Sequence, residues 1–312
     1  MRSVSAATAR YAVWIVLLAV VIAGVLSTSL FLTESNIRAL LQNMAILGIV
    51  AVGQTVVIAG GAMDLSVGML MGLVVVLSNG IMKGDPSLAA PVVGFALALG
   101  LLVGVINGVL LVITRIHPLI LTFGALSVIQ GLIFLYTDKP IGSGASNFRL
   151  LAQGMVGPLP VPFLILMATA FVVWLVLNRT TLGTQILATG AGEEQARRGG
   201  VSVSRIRIVV FAVSGLTAAL AGLVLSARLG SGSPLAGATF GLDAIVAVVL
   251  GGTTFTGGRS SIAGTVAGVA FLTILGNVLN LAGVSAFTQQ ILKGLVIVGG
   301  VALYSQPRRA SW

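Results

Sequence analysis

A chain of 312 residues, 57% hydrophobic and only 8% charged, stands far from soluble domains, in which about a quarter of residues carry charge. It is read as an integral membrane protein, and since a helical span needs about 20 apolar residues, the length holds roughly ten spans and leaves no room for a soluble domain. The formal charge of +10 comes from basic residues scattered between apolar runs, which points to orientation in a membrane rather than to nucleic-acid binding, and the absence of cysteine excludes disulfides and thiolate metal sites.

In chain order, Arg2 and Arg10 precede an uncharged run from Tyr11 to Thr33. That run exceeds the roughly 7–15 residues of a signal-peptide core and predicts a retained first span. Apolar runs bounded by Gly, Pro or charge predict spans near 11–32, 37–58, 65–82, 89–113, 118–136, 160–178, 207–229, 241–252, 262–282 and 286–304. The third and eighth are short and flanked by glycine. With the N-terminus in the cytoplasm, Arg2, Arg10, Arg115, Arg179, Arg197, Arg198, Arg205, Arg207, Arg259, Arg308 and Arg309 fall inside. Arg38, Lys83, Lys139, Arg149 and Arg228 then fall outside, and Lys293 lies in the last span. The bias predicts that both termini are cytoplasmic. Residues 1–312 are expected to form a single membrane domain.

Two glycine-rich breaks echo each other. Val56-Val57-Ile58-Ala59-Gly60-Gly61 runs into Ala62-Met63-Asp64-Leu65-Ser66-Val67-Gly68, and Val248-Val249-Leu250-Gly251-Gly252 runs into Thr253-Thr254-Phe255-Thr256-Gly257-Gly258-Arg259. Unwound backbone inside a membrane is tolerated only where protein or a water-filled cavity satisfies it, so matched interruptions point to a transport pathway. The competing explanation is close helix packing through small residues. The expected fold is all-α: a polytopic membrane protein with about ten transmembrane helices in two related halves and Gly-rich broken segments.

Asp64 and Asp243 lie nearest the apolar runs, where a carboxylate is expensive to bury and is a functional candidate for that reason. Each also stands where a helix restarts, which suits capping. Neutral polar side chains recur in the spans: Asn43, Gln54, Asn107, Thr122, Gln130, Asn277, Asn280, Gln289 and Gln290. Such groups can hydrogen-bond an uncharged hydroxylated solute or join helices. Asn43, Gln54, Asp64, Ser66, Asn107, Thr122, Gln130 and Asn277 form the candidate substrate pathway. His117, before Pro118, reads as an interfacial or helix-start residue.

No catalytic residues and no metal ligands are expected. There is no row of acids or histidines for a proton relay, no G-x-x-x-x-G-K-[ST] phosphate loop, no H-E-x-x-H helix and no G-x-S-x-G elbow with a base. Gly257-Gly258-Arg259-Ser260 looks superficially like a phosphate cradle but lacks the lysine. The chain is therefore not expected to be an enzyme or to hold a cofactor, and any motor must be on another chain.

The segment 179–207 carries Arg179, Arg197, Arg198, Arg205 and Arg207 with Glu193 and Glu194, between stretches almost free of charge. It reads as a cytoplasmic loop that meets a partner. Glu193 and Glu194 early and Arg197 and Arg198 late suit the dipole of a short helix, with Gly199 and Gly200 as its stop.

These motifs carry a family resemblance. Gly60-Gly61-Ala62-Met63-Asp64-Leu65-Ser66-Val67-Gly68 resembles the G-G-I-D-L-S-V-G segment of the membrane permeases of bacterial ATP-binding-cassette (ABC) importers for ribose, xylose, galactosides and related sugars. Pro118 to Gly124 and Gly131 to Thr137 resemble their P-x-I-x-T-L-G and G-x-x-x-L-Y-T stretches. Leu242 to Thr253 resembles L-D-A-I-A-A-V-V-x-G-G-T, and Thr189 to Val201 resembles their G-G-N-E-E-A-A-R-x-S-G-I coupling loop. The likeness covers about residues 11–304; Ala62, Gly192, Gly199 and Gly241 depart from it.

The resemblance implies a permease subunit in the bacterial inner membrane, in contact with lipid and not with nucleic acid, forming the path of a ribose-like monosaccharide. Its coupling loop, with Gly190, Glu193, Glu194, Ala196, Arg197 and Gly200, would dock on a cytoplasmic ATPase that binds ATP and Mg. A second permease copy or paralogue would complete the path. A periplasmic or lipid-anchored sugar-binding protein would deliver solute to outer loops near 137–160 and 230–241. The alternatives are an ion-coupled secondary transporter of a small polar solute and an intramembrane enzyme.

Overall fold

The computed structural model describes residues 6–285, 287–292 and 294–295. In order, the elements are α1 (Ala6–Ser27), α2 (Glu34–Ala59), α3 (Val67–Met82), a 3-10 turn (Pro86–Leu88), α4 (Ala89–Thr114), α5 (Pro118–Tyr136) and the short α6 (Leu150–Gln153). A small antiparallel hairpin, β1 (Met155–Val156) and β2 (Leu159–Pro160), leads into α7 (Val161–Arg179). Then come α8 (Thr181–Ala191), α9 (Glu193–Arg198), α10 (Val203–Leu229), α11 (Phe240–Leu250) and α12 (Ile262–Leu281). Among the described residues, 6 helices are long and apolar enough to cross a membrane, with shorter apolar helices beside them. The all-α polytopic fold is as expected. The tenth span, near 286–304, lies largely outside the described residues, as do Arg2, Arg308 and Arg309.

Three expectations need correction. The first helix ends at Ser27 rather than near residue 32. Beyond it the chain turns, Thr33 donating to the Leu30 carbonyl at 3.2 Å, and the buried Phe31 ring folds back onto Gly24, where a Cβ would lie 2.6 Å from it. Nor is 179–207 one loop: Arg179 ends α7, Arg205 and Arg207 belong to α10, and the residues between build α8 and α9. The start of α8 is set by Thr180, whose hydroxyl accepts from the Gly183 amide at 3.2 Å, an N-cap of the usual kind.

The third and eighth segments, finally, are not separate full crossings. Helix α3 has 16 residues and α11 has 11, about 24 Å and 17 Å at 1.5 Å per residue, against a hydrocarbon core of roughly 30 Å. The strand of chain leading into α11 runs antiparallel along α3. A Cβ on Gly232 would lie 3.0 Å from the Val76 Cα, one on Gly237 2.7 Å from the Gly72 nitrogen, and one on Gly241 3.3 Å from the Leu65 carbonyl. The two short helices therefore meet at their N-termini.

Helices α2, α3, α10 and α11 form the interior, while α1, α4, α5 and α7 turn large apolar side chains such as Leu102, Phe123, Leu135 and Phe171 outward. Because lipid is as apolar as leucine, helix association in a membrane depends on close packing rather than on apolar burial. The pairing of α4 with α10 shows this: Gly100, Gly104 and Gly108 line one face of α4. A Cβ on Gly104 would lie 3.0 Å from the Ala212 Cα, and one on Gly108 2.6 Å from the Ile208 Cα.

The echoed breaks share one geometry. After α2 the Ala62 amide donates to the Val57 carbonyl at 3.1 Å, and after α11 the Thr253 amide donates to the Val248 carbonyl at 3.2 Å. Gly61 and Gly252 adopt φ of 80° and 86°, the left-handed turn that closes a Schellman cap and favours glycine. The likeness ends there, because α2 has 26 residues and α11 has 11.

Candidate functional site

The charged end of the molecule is built on α9. Its acids occupy the first turn and Arg197 and Arg198 the last, as the dipole favours. Glu193 is shared: Oε1 pairs with Arg197 at 2.8 Å and Oε2 with Arg207 of α10 at 2.7 Å. Glu194 pairs with Arg198 at 3.1 Å, and both side chains are largely exposed. Exposed pairs of this kind contribute about 0–1 kcal/mol, and of the three it is the Glu193–Arg207 pair that ties α9 to another helix. Ala196 is buried beneath the helix, and Gly200, at φ 82°, ends it with the Val201 amide on the Ala196 carbonyl at 3.0 Å. Gly190 lies apart from these charges. It sits in the last turn of α8 against the Ala59 carbonyl, and a Cβ on it would be 2.6 Å from the Gly258 nitrogen.

A second cluster occupies the start of α3. Asp64 is buried, and its Oδ1 accepts from the Ser66 amide at 3.0 Å and from the Ser66 hydroxyl. Its Oδ2 accepts from the Ser214 hydroxyl of α10 at 2.8 Å, and the Asn107 amide of α4 donates to Ser66 Oγ at 3.0 Å. Asp64 thus organises the turn before the helix, while the residue at the cap position is Ser66. Buried polar groups cost little when every member is bonded, and this network joins three elements.

Of the remaining pathway candidates, Thr122 approaches this cluster: it is buried, its hydroxyl donates to the Pro118 carbonyl of its own helix at 3.0 Å, and it lies 3.4 Å from the carbonyl of Met63, next to Asp64. The others lie elsewhere. Asn277 of α12 exchanges two amide hydrogen bonds with Asn36 of α2, at 2.7 and 3.1 Å. Asn43 accepts from the Arg228 guanidinium. Gln130 is half-buried on α5. Gln54 is fully buried, and among the described residues neither its amide nitrogen nor its oxygen finds a partner. Asp243 stands in the first turn of α11, and His117 caps α5 by accepting from the Leu119 amide at 3.4 Å.

Ser214 and Asn36 complete these arrangements and escaped the sequence reading, whereas Gly257 and Gly258 were read there as part of the second glycine-rich break but not as partners of Gly190. No local pattern signals Ser214 or Asn36 as partners of residues that far along the chain. The two outer loops, by contrast, do come together: Ile141 and Gly232 form an antiparallel bridge, and the Gly144 amide donates to the Gly230 carbonyl at 3.1 Å.

Comparison with known proteins agrees with this architecture. A family model described as the permease component of a branched-chain amino acid transport system matches residues 36–301. The ribose import permease of Bacillus subtilis is 39% identical over 288 residues, covering 91% of this chain and 88% of that one. The D-allose transport system permease of Escherichia coli K12 is 34% identical, covering 92% and 89%. The galactose/methyl galactoside import permease of Salmonella typhimurium is 33% identical, covering 95% and 93%. No solved structure matches the chain. The chain belongs to the family of ABC importer permeases that includes these sugar permeases, the family its motifs resemble.

Proposed function

We propose that this protein is the membrane permease of an ABC importer for a neutral, ribose-like monosaccharide, driven by a separate ATPase that binds ATP and Mg. The observation that carries the reading is the likeness to sugar import permeases over nearly the whole chain, which favours a sugar over the branched-chain amino acid of the family description. The exposed, internally ion-paired α9 supports docking on the ATPase through Glu193, Glu194 and Arg197, while the buried Ala196 seats the helix on its own chain rather than on a partner. In this reading α9 and both termini face the cytoplasm. The polar side chains of one chain are largely occupied with one another, so the path runs between this chain and a second copy or paralogue. Exposed Ile120, Phe123, Val128 and Leu135 make α5 a sparsely covered helix and a suitable wall. The joined outer loops form the landing surface for a periplasmic or lipid-anchored binding protein.

The test is reconstitution of the chain with its ATPase and binding protein in liposomes. ATP-dependent uptake of a sugar that the binding protein binds is the expected result. Uptake by the chain alone along a proton or sodium gradient would replace this reading with a secondary transporter. Since the protein has no cysteine, a single cysteine at Gln195 reports sidedness directly, and labelling from outside intact cells would overturn the proposed orientation.

A further inference from the structure

The segment Gly257-Gly258 stands where three elements touch through backbone and the Ala191 Cβ. A Cβ on Gly257 would lie 2.8 Å from the Gly61 Cα and 2.9 Å from the Gly190 Cα, and one on Gly258 would lie 2.8 Å from the Ala191 Cα. The Gly258 amide donates to the Ala59 carbonyl at 3.0 Å. Gly190 packs on that same carbonyl, and a Cβ on Gly61 would lie 3.2 Å from the Gly190 Cα. The end of α8, the break after α2 and the loop after α11 thus share one contact. The chain of close approaches continues to α12, since a Cβ on Gly251 would lie 2.6 Å from the Thr265 nitrogen.

We propose that Gly61, Gly190, Gly257 and Gly258 form a rigid backbone node that passes movement of the coupling segment α8–α9 directly to the inner ends of α2, α11 and α12. Backbone contacts have no side-chain rotamers through which to yield, and closely packed interiors transmit displacement rather than absorb it. The other tie of α9, the Glu193 to Arg207 pair, runs between partly exposed, flexible side chains and is a softer link. Gly257 and Gly258 are positioning residues in this scheme, acting through the ends of the helices. The inference rests on the ATPase-driven reading above.

The experiment uses the full transporter with its ATPase and binding protein. Spin labels at Gln195→Cys and Phe255→Cys, both exposed positions, keep all four glycines native. Their separation is expected to stay constant when ATP is trapped, while the separation between Gln195→Cys and Ser87→Cys at the far end of the molecule shifts. A nucleotide-dependent change in the first distance overturns the node. Gly258→Ala is expected to retain the ATPase on purification and keep its basal hydrolysis, yet lose about tenfold or more of uptake, as small misplacements can cost that much or more. Gly94→Ala, on an exposed face with nothing within 4 Å, serves as the control at wild-type uptake. Wild-type uptake in Gly258→Ala would also overturn the proposal. Failure of the unaltered complex to import with ATP would instead remove the importer reading beneath it.

Discussion

Two turns of the same chemistry bracket α3, one inside the protein and one in water. In Asp64-Leu65-Ser66 and in Asp85-Pro86-Ser87, Oδ1 of the aspartate accepts from the amide and hydroxyl of the serine two residues on, with amide distances of 3.0 and 2.9 Å. The outer carboxylate stops there and leaves the rest to water, the Asn147 amide reaching only the Pro86 carbonyl of that turn, at 2.9 Å. The inner turn adds Ser214 from α10 and Asn107 from α4. A local motif that is cheap at the surface becomes, when buried, an obligation on distant helices. Asp64 is therefore a residue of assembly as much as of the turn.

Removing the aspartate breaks this comparison most forcefully at the inner site. Asp64→Ala strands the Ser66 amide, the Ser66 hydroxyl and the Ser214 hydroxyl, each worth about 1–3 kcal/mol when left unbonded in the interior. The expected outcome is a steep loss of monodisperse protein in detergent, read by size-exclusion chromatography and thermal melting. Asp64→Asn keeps the Oδ1 acceptor, and its amide can donate to Ser214 in place of the lost acceptor, so it should retain the fold. A wild-type melting curve for Asp64→Ala would show that the buried network holds nothing together.

The contrast also marks how far the sequence could be read. Motifs made by neighbours were legible: the Gly-Gly helix stops, the order of charges in α9 and the His117 helix start all depend on residues within a few positions. Contacts made by closure of the bundle were not. Nothing near Ser214 announces that it will meet Asp64, and nothing near Gly190 announces Ala59 or Gly258. The sequence pattern likewise registered α3 and α11 as two apolar runs, because hydropathy reports length and not direction. That their N-termini meet follows only from how residues 232–241 lie along α3. Among the pathway candidates, Asn277 proved to join helices through Asn36, a role that a lone amide in a span cannot disclose.

Gln54 sharpens the comparison with a third case, a buried polar side chain that no other element serves among the described residues. An unbonded buried amide costs about 1–3 kcal/mol, whereas an apolar side chain of similar size carries no such penalty. Gln54→Leu is thus expected to raise the melting temperature, in contrast to every truncation of the Asp64 network. Uptake measured on the same variant separates two uses of the residue: stabilised protein with normal uptake makes Gln54 mere packing, while stabilised protein with lost uptake means its amide finds partners during transport. A lower melting temperature would show that the amide is already bonded in the folded chain.

The smallest effect belongs to the outer turn, where pH acts alone. The Ser87 hydroxyl and then its amide hold the exposed Asp85 carboxyl below the usual carboxylate range. A lowered folded value means that whatever Asp85 contributes is fully present above its unfolded value of about 3.9. That contribution is lost as pH falls through the lower folded value. The melting temperatures of wild type and Asp85→Asn should therefore differ by a small constant amount from pH 7 to pH 5. Below about pH 4 they should converge as the wild-type carboxyl takes up its proton. A difference that persists in acid would mean the outer turn depends on the side chain's shape rather than its charge, which would erase the distinction between its water-served carboxylate and the protein-served carboxyl at Asp64.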